Sequence, residues 1–480
     1  MNPYLVLCDE YSLEAQELLH SLTHAEIPFL AVFCQYHGSL PPGSLSPFTY
    51  YTGLQAHSHS RTCQPLFFNE VPIPQWAEIR QDRNQYGEIL LDGFLIGKIN
   101  YQPETFRRVD SVEWLDRTES TTSQDFYNQC GTKYATAYFS HGQPYQTVYL
   151  NISDAAPHAS MIEVCHRTNI ITLRHATSSG SRRASLGSHV QQSQPQQSQA
   201  QQQPQLLHFT SLAQFVSHFL DDMQIDDSHT LINSLSHPLF VMRMRSSRPR
   251  TTLFWQEPLP TVPPGNMDTE LKEPVALTQI IFHDVSQLHK VRSLYPSTSV
   301  HLAYLSHLDR FQESHDYSMR RAFILTNTDD IPGLEHILSS LPDLTVCVAA
   351  LTTMSDKLMK LSGQYSNLHL RPVINRSGIT EELRKASIYL DINAGHHVYN
   401  IVKAAYHLNL LTLATQAQAK EPQLELLAPT IDELLTWLKQ AVSSTDARSQ
   451  LVHALHTQAG PQSTVADYTH ALTSVRTLTS

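Results

Sequence analysis

The stretch Gly87-Glu-Ile-Leu-Leu-Asp-Gly-Phe-Leu-Ile-Gly-Lys-Ile-Asn-Tyr101 reads as two short strands folded back on each other about Asp92-Gly93. An Asp-Gly pair tolerates the positive φ angles that a tight hairpin turn needs. The same texture runs outward from about Ser46 to Asn151, rich in Tyr, Phe, Thr, Gly and Pro and without helical periodicity. Gln64–Phe68, Gly87–Leu91, Phe94–Tyr101, Phe106–Trp114, Tyr134–Phe139 and Gln146–Leu150 are its strand candidates. Turn chemistry at Asp92-Gly93, Asn128–Gly131 and His141-Gly142 separates them. No crossover helix fits between these strands, so they predict an antiparallel meander and not a parallel sheet.

On either side of the meander the pattern changes. Tyr4–Cys8 and Phe29–Phe33 are apolar runs suited to buried strands. Between them Ser12 can cap a helix whose apolar face carries Ala15, Leu18, Leu19 and Leu22. The α/β alternation resumes at Ser211–Gln214, a capping-box match followed by Leu212, Phe215, Val216, Phe219 and Leu220 at helical spacing. In the last third, strands are expected at Ala322–Leu325, Leu344–Ala350, Leu368–Arg371, Ser387–Asp391 and Leu410–Ala414. Helices are expected between them at Pro332–Leu341, Ser355–Leu361, Gly378–Lys385 and Val398–His407, with a last one at Ile431–Val442.

The fold class is therefore α/β: two Rossmann-like domains facing a cleft, with an antiparallel β-sheet meander inserted into the first. The expected boundaries are 1–45 with about 206–300 for the N-terminal domain and 46–151 for the meander. The C-terminal domain takes 301–445 and a helical tail 446–480. Residues 178–205, rich in Ser and Gln, lack the apolar content for a core and read as a disordered loop.

Composition narrows the function. Over 480 residues, 33 Lys and Arg face 44 Asp and Glu, a formal charge of −11 that argues against a nucleic-acid binder and an anionic-membrane binder. Most of the 27 histidines charge by about pH 5.5, which turns the net charge positive in mild acid. Six scattered cysteines, at 8, 34, 63, 130, 165 and 347, fit a reducing compartment better than a disulfide framework. No basic leader opens the chain and no apolar run approaches the roughly 18 residues of a spanning helix, so the expected place is the cytoplasm, with no integral membrane segment.

Catalytic signatures are missing: no G-x-x-x-x-G-K-[ST], G-x-G-x-x-G after the first strand, G-x-S-x-G, H-E-x-x-H or Asp-x-Asp occurs. His57, His59 and Cys63 imitate three zinc ligands but sit in a polar loop without a fourth, so no metal and no cofactor is expected. His396 and His397 fall at a strand-to-helix turn, where a solvated helix start and a ligand contact are both open readings.

Five blocks carry a resemblance. They are Ser46-Pro-Phe-Thr-Tyr-Tyr-Thr-Gly53, Pro65-Leu-Phe-Phe-Asn-Glu-Val-Pro-Ile-Pro-Gln-Trp-Ala-Glu-Ile-Arg80, Arg108-Val-Asp-Ser-Val-Glu-Trp-Leu-Asp116, Asp125-Phe-Tyr-Asn-Gln-Cys-Gly131 and Ser387-Ile-Tyr-Leu-Asp-Ile-Asn-Ala-Gly395. Together they resemble the stabilising, non-catalytic subunits of the bacterial O-linked GlcNAc transferases of the accessory Sec system. The resemblance implies a GT-B-like fold and a homologous catalytic subunit as partner. It also implies a Ser/Thr-rich repeat adhesin as acceptor, with UDP-GlcNAc as the partner's donor. A cytoplasmic place follows, peripheral at the inner face of the cell membrane through the complex.

Laid on this chain, the pair of donor-site glutamates of related transferases falls near Gly395 and Lys403, neither of them acidic. Where that family places cations for the diphosphate, Thr326–Glu335 has three acids, Asp329 and Asp330 among them, and no Lys or Arg. Two facing carboxylates repel a diphosphate, which marks the donor site as degenerate. Ser377, Asn393, His396 and His397 are the expected acceptor contacts. Phe48, Tyr50, Tyr51, Phe67, Phe68 and Trp76 are the expected subunit interface, since as a set they exceed what one half-buried sheet needs. Two rival readings are an active transferase using Glu381 or Glu382, and an export chaperone with no part in glycosylation.

Overall fold

A computed structural model describes residues 3–54, 63–81, 86–102, 105, 107–150, 161–174, 206–308 and 318–477. His57, His59 and the Gln tract lie outside the described residues. Two compact units divide the chain, one chiefly residues 1–282 with 289–303, the other chiefly 304–474 with 283–288.

The first unit holds two sheets. Its parallel sheet has the order His301–Tyr304, Leu277–Phe282, Arg250–Trp255, His229–Ile232, Tyr4–Cys8, Phe29–Phe33. Tyr4–Cys8 is buried throughout, as expected of a strand covered on both faces. Ser12 Oγ accepts from the Ala15 amide at 3.3 Å and starts the helix Leu13–His24, which buries Ala15, Leu18, Leu19 and Leu22. Ser211 does the same for Leu212–Asp222 through the Gln214 amide at 3.2 Å.

The chain leaves this sheet after Phe33 and builds a ten-stranded antiparallel sheet in which every strand pairs with its neighbours in sequence, from Glu78–Gln81 to Leu206–Phe209. The meander is thus longer than 46–151. Five of its strands escaped the sequence reading: Glu78–Gln81, Thr121–Tyr127, Met161–Cys165, Ile171–Arg174 and Leu206–Phe209. Thr121-Thr-Ser-Gln-Asp-Phe-Tyr127 is nearly all polar and buries only Asp125 and Tyr127, so it shows no apolar alternation. Gln64–Phe68 is not a strand. Phe67 makes a single bridge to Arg108, and Phe68–Glu70 then turns as a 3-10 helix whose Glu70 carboxylate accepts from the Phe67 amide at 3.0 Å. Val71, Ile89, Ile99, Val109, Val112 and Tyr127 form the small core of this sheet.

Residues 46–54 do not belong to the meander. Pro47–Tyr51 is a short helix pressed on Leu212–Asp222. Phe48 lies 4.4 Å from Tyr149 and 5.5 Å from Phe215 between ring centres, and the Tyr51 hydroxyl donates to Asp222 at 3.2 Å. Buried at 4% and 6% exposure, Phe48 and Tyr51 are core residues, each stabilising the unit by about 2–3 kcal/mol, and cannot serve as an interface.

In the second unit six parallel strands run in the order Leu368–Arg371, Thr345–Ala350, Ser318–Thr326, Ala386–Asp391, Leu411–Thr415, Leu426–Ala428. Counted along the chain this is 3-2-1-4-5-6, the doubly wound order of dinucleotide-binding sheets. Strand residues alternate between two cores. Ala322, Ile324, Val346, Ile388 and Leu390 meet Leu434 and Leu438 of helix Ile431–Ser443. Phe323, Leu325, Cys347 and Tyr389 meet Ile379, Leu383 and Val402 on the opposite face. The expected tail is helical but not loose: in Thr445–Ala459, Val452 and Leu455 enter the first of these cores. Arg448, also buried, donates to the carbonyls of Ser387 at 3.3 Å and Asn409 at 3.0 Å.

Candidate functional site

Ligands of doubly wound sheets bind beyond the carboxyl ends of the strands, where the strand order reverses. In the second unit that point lies between Ser318–Thr326 and Ala386–Asp391. The turns leaving these two strands bring Asn327–Asp330 against Asn393–Gly395, and the Ala394 amide donates to the Asp330 carbonyl at 2.9 Å. Asp329 and Asp330 are exposed there. Gly395 packs so closely on Asn327 that a Cβ at 395 would lie 1.9 Å from the Asn327 amide oxygen. A side chain fits only after Asn327 swings away.

One cation of this edge, Lys420, is committed inward, and a second, Arg376, lies over the Tyr399 ring at 5.2 Å. Lys420 Nζ donates to Asp391 Oδ1 at 2.8 Å and to the Asn393 carbonyl at 2.6 Å, and its backbone amide binds Asp391 Oδ2 at 3.0 Å. Beside it, burial and the neighbouring Asp391 carboxylate push Glu425 up to about 9, so that it is protonated at neutral pH. Lys403, on helix Ile401–His407, adds its charge to a region where His283 and His307 stack at 4.0 Å between ring centres. Burial, reinforced by Lys403, pulls His283 down to about 3 and keeps it neutral.

The expected acceptor contacts separate here. Asn393 is 2% exposed and used within the fold, donating to the Leu325 carbonyl at 3.2 Å and accepting from the Gly395 amide at 3.2 Å. It is unavailable to a ligand. His396 and Ser377 are exposed, and His397 lies 3.3 Å from Glu421. Of the rival acids, Glu382 is buried against Arg321 at 2.5 Å and Glu381 pairs with Lys385. Neither is placed as a reacting group at the switch point.

The sequence reading missed a cavity in the first unit, of about 730 Å³, where the parallel sheet meets the meander. Tyr36, Phe126, Tyr134 and Tyr149 contribute aromatic walls, and His37, His166, His237 and Arg243 contribute polar ones. His237, the first residue of helix His237–Met244, lies 2.9 Å from Asp9 at the end of the first strand. The hydrogen bond to Asp9 raises its pKa above the usual histidine value. Arg243 is oriented by Glu270, whose Oε1 accepts from Arg243 Nε at 2.8 Å. The other oxygen of Glu270 accepts the amides of Val275, Ala276 and Leu277. A single Tyr, Phe or His carries no mark that it will line a cavity, which explains the miss.

The expected interface is also redistributed. Phe67 and Tyr50 are half exposed and Phe68 packs on the meander core. Trp76, at 84%, is the most exposed large apolar residue described, and Phe94 at 74% lies at the same end of the sheet, by the Asp92–Gly93 turn. Trp76 also holds φ at +72°, a conformation that costs a bulky residue energy. A further departure concerns the cysteines: Cys63 and Cys130 are joined as a disulfide. Their spacing of 67 residues gave no hint of it, because only the meander brings the Asn128–Thr132 turn against the segment at Leu66.

Three family profiles match in tandem: GtfB middle domain over residues 77–181, GtfB third domain over 212–294, and GftB/GlyA-F C-terminal domain over 322–458. The UDP-N-acetylglucosamine–peptide N-acetylglucosaminyltransferase stabilizing protein GtfB of Streptococcus gordonii is 31% identical over 464 residues, covering 92% of this chain and 94% of that one. The chain belongs to the GtfB family.

A solved GtfA/B complex bound to UDP and GlcNAc contains a chain that superposes with a TM-score of 0.80 at 28% identity, over 98% of this chain and 99% of that one. The pneumococcal O-GlcNAc transferase GtfA, in complex with UDP and GlcNAc, shares the fold alone, at a TM-score of 0.58 and 10% identity over 99% of this chain and 100% of that one. This GtfB-family chain is thus a GT-B-like protein carrying an antiparallel sheet insertion. Among its described residues no helix is long and apolar enough to cross a membrane, and no group of three or more His, Cys, Asp or Glu is placed to hold a metal ion.

Proposed function

We propose that this chain is a non-catalytic subunit that stabilises a homologous GlcNAc transferase. It holds the Ser/Thr-rich adhesin acceptor so that the first O-GlcNAc can be transferred from UDP-GlcNAc. The observation that carries this reading is the switch point of the second unit. Asp329 and Asp330 face outward where a diphosphate would need cations, Lys420 is tied to Asp391, and Gly395 and Lys403 stand where two acids are expected. Such an edge repels a sugar nucleotide instead of binding it. The stabilizing protein of S. gordonii and the solved GtfA/B complex supply the partner class.

The acceptor is assigned to the cavity between the parallel sheet and the meander. A Ser/Thr-rich polypeptide offers hydroxyls, amides and small apolar groups, and aromatic walls with interspersed polar side chains suit it. His396, His397 and Ser377 remain outer contacts in this reading, and Asn393 does not. Trp76 and Phe94 take the subunit contact, with Phe67 and Tyr50 at its margin. The pair works in the cytoplasm and reaches the inner membrane face through its complex.

The test is transfer of GlcNAc from UDP-GlcNAc to a serine-rich repeat polypeptide by this chain, by the catalytic homologue, and by the two co-expressed. The expected result is no transfer by this chain, weak transfer by the homologue and strong transfer by the pair. Turnover by this chain alone overturns the reading.

A further inference from the structure

We propose that Cys63 and Cys130 are a reversible thiol–disulfide modification site that fixes one wall of the large cavity. This regulatory role rests on the acceptor reading above. The geometry runs residue by residue from the sulfurs to the cavity. Asn128 Oδ1 accepts from the amides of Cys130 at 3.0 Å and Thr132 at 2.9 Å, which shapes the turn. The Gln129 amide donates to the Gly38 carbonyl at 3.2 Å, joining the turn to the segment that follows the second strand of the parallel sheet. On its other side a Cβ at Gly131 would lie 2.7 Å from the Leu66 amide nitrogen, so turn and segment are in contact there. Asn128 also bonds the Tyr36 hydroxyl, and Tyr36 stands edge-on to Tyr134 at 4.9 Å. Tyr36 and Tyr134 both line the cavity. The disulfide is the covalent tie that holds this turn between its two neighbours.

Accessibility favours exchange at this pair. Cys63 is exposed and Cys130 half buried, whereas Cys8, Cys34 and Cys347 are buried. A dithiol reductant supplies the electrons. Its thiolate attacks the exposed Cys63 sulfur, the sulfur–sulfur bond breaks, and Cys130 leaves as a thiolate that takes a proton from water. The second reductant thiol, as its thiolate, then closes the reductant's own disulfide and releases Cys63, so two electrons pass to the protein for two thiols formed.

Freed of the tie, the turn keeps the Gln129–Gly38 hydrogen bond and its packing on Leu66, and Tyr36 loses its fixed support. Reduction is therefore expected to loosen the cavity wall while leaving the parallel sheet unchanged.

The experiment uses the full chain with its catalytic partner, purified without reductant and alkylated before digestion. Expected are a cross-linked peptide joining Cys63 and Cys130, and two further alkylated cysteines after dithiothreitol. Amide exchange at Cys130 and Thr132 should then speed by about tenfold with no change in Tyr4–Cys8. Affinity for a serine-rich repeat polypeptide should fall about fivefold. Cys63→Ser should reproduce the reduced state under oxidising conditions, and Cys165→Ser should leave the response intact.

Cysteines that stay alkylated separately under mild oxidation, or exchange that is unmoved by reduction, overturn the proposal. Equal polypeptide affinity in both redox states overturns it too, provided Phe126→Ala still weakens binding. Should Phe126→Ala have no effect, the acceptor reading of the cavity fails instead, and the exchange measurement still decides whether the disulfide governs the turn.

Discussion

Lys420 lies 2.8 Å from Asp391, with side chains 13% and 2% exposed, and the pair closes the carboxyl edge of the second parallel sheet. The lysine is a structural partner of a buried acid and not a cation offered to a ligand. Removing it strands Asp391 in a low-dielectric site, an error that typically costs about 3–5 kcal/mol. Lys420→Met is therefore expected to lower the urea unfolding midpoint strongly, whereas Asp391→Asn with Lys420→Met should recover much of the loss. Unfolding curves of the two variants check the coupling.

Glu425 gives this unit a pH dependence of unusual sign. Its pKa is raised to about 9 by burial and by Asp391, while an unfolded glutamate titrates near 4.3. Between these values the folded chain binds a proton that the unfolded chain has released, so stability contributed by Glu425 is full below about pH 4 and lost as pH rises through 9. Glu425→Gln should remove that slope. Unfolding free energies at pH 6 and pH 9 are expected to differ less in the variant than in the wild type.

Gly131 occupies φ +70° with the Leu66 nitrogen and Gln64 oxygen directly over it. Backbone atoms cannot yield as a flexible side chain can, so Gly131→Ala should destabilise by about 2–3 kcal/mol. The milder case is Gly395→Ala, where side chains alone must move, Asn327 most and the Thr328 methyl slightly, and about 1 kcal/mol is expected. A double-mutant cycle with Asn327→Ala should cancel most of that cost.

Trp76 combines 84% exposure with a positive φ. Trp76→Gly relieves the backbone and removes the ring, so stability should hold or rise by up to about 1 kcal/mol. Co-purification with the catalytic homologue should weaken in parallel. Unimpaired complex on gel filtration after Trp76→Gly combined with Phe94→Ser would remove this surface from the interface.

Phe126→Ala and Tyr149→Ala reshape the aromatic walls of the large cavity, and each is expected to weaken binding of a serine-rich polypeptide about tenfold. Fluorescence anisotropy of a labelled peptide measures it. Phe94→Ser, at the far end of the meander, should leave peptide affinity alone.

The layered α/β frame was legible because its strands are short, uniformly apolar and separated by capped helices. Ser12, Ser211 and Thr430 cap the helices the sequence assigns to them. The meander was legible as a type but not in extent, since strands such as Leu206–Phe209 bury little and lack alternation. At the candidate site, the pairing of Asn327–Asp330 with Gly395 follows from the parallel register, but the burial of Asn393 does not. Its side chain is one hydrogen-bonding unit in a turn, and only tertiary packing decides whether such a unit faces ligand or backbone. Phe48 and Tyr51 failed for the opposite reason: an aromatic cluster is equally suited to a core and to an interface, and helix Leu212–Asp222 claims it first.

Insertion of the meander between neighbouring strands of one sheet imposes an order on biosynthesis. Leu5 pairs with Thr230 across the whole insertion, so the first βαβ unit, whose strands Tyr4–Cys8 and Phe29–Phe33 are parallel, emerges from the ribosome with one strand edge unanswered until the meander has followed it. A sheet built from such distant partners assembles slowly. During that interval Tyr4–Cys8 is a sticky edge that a nascent-chain chaperone has reason to cover.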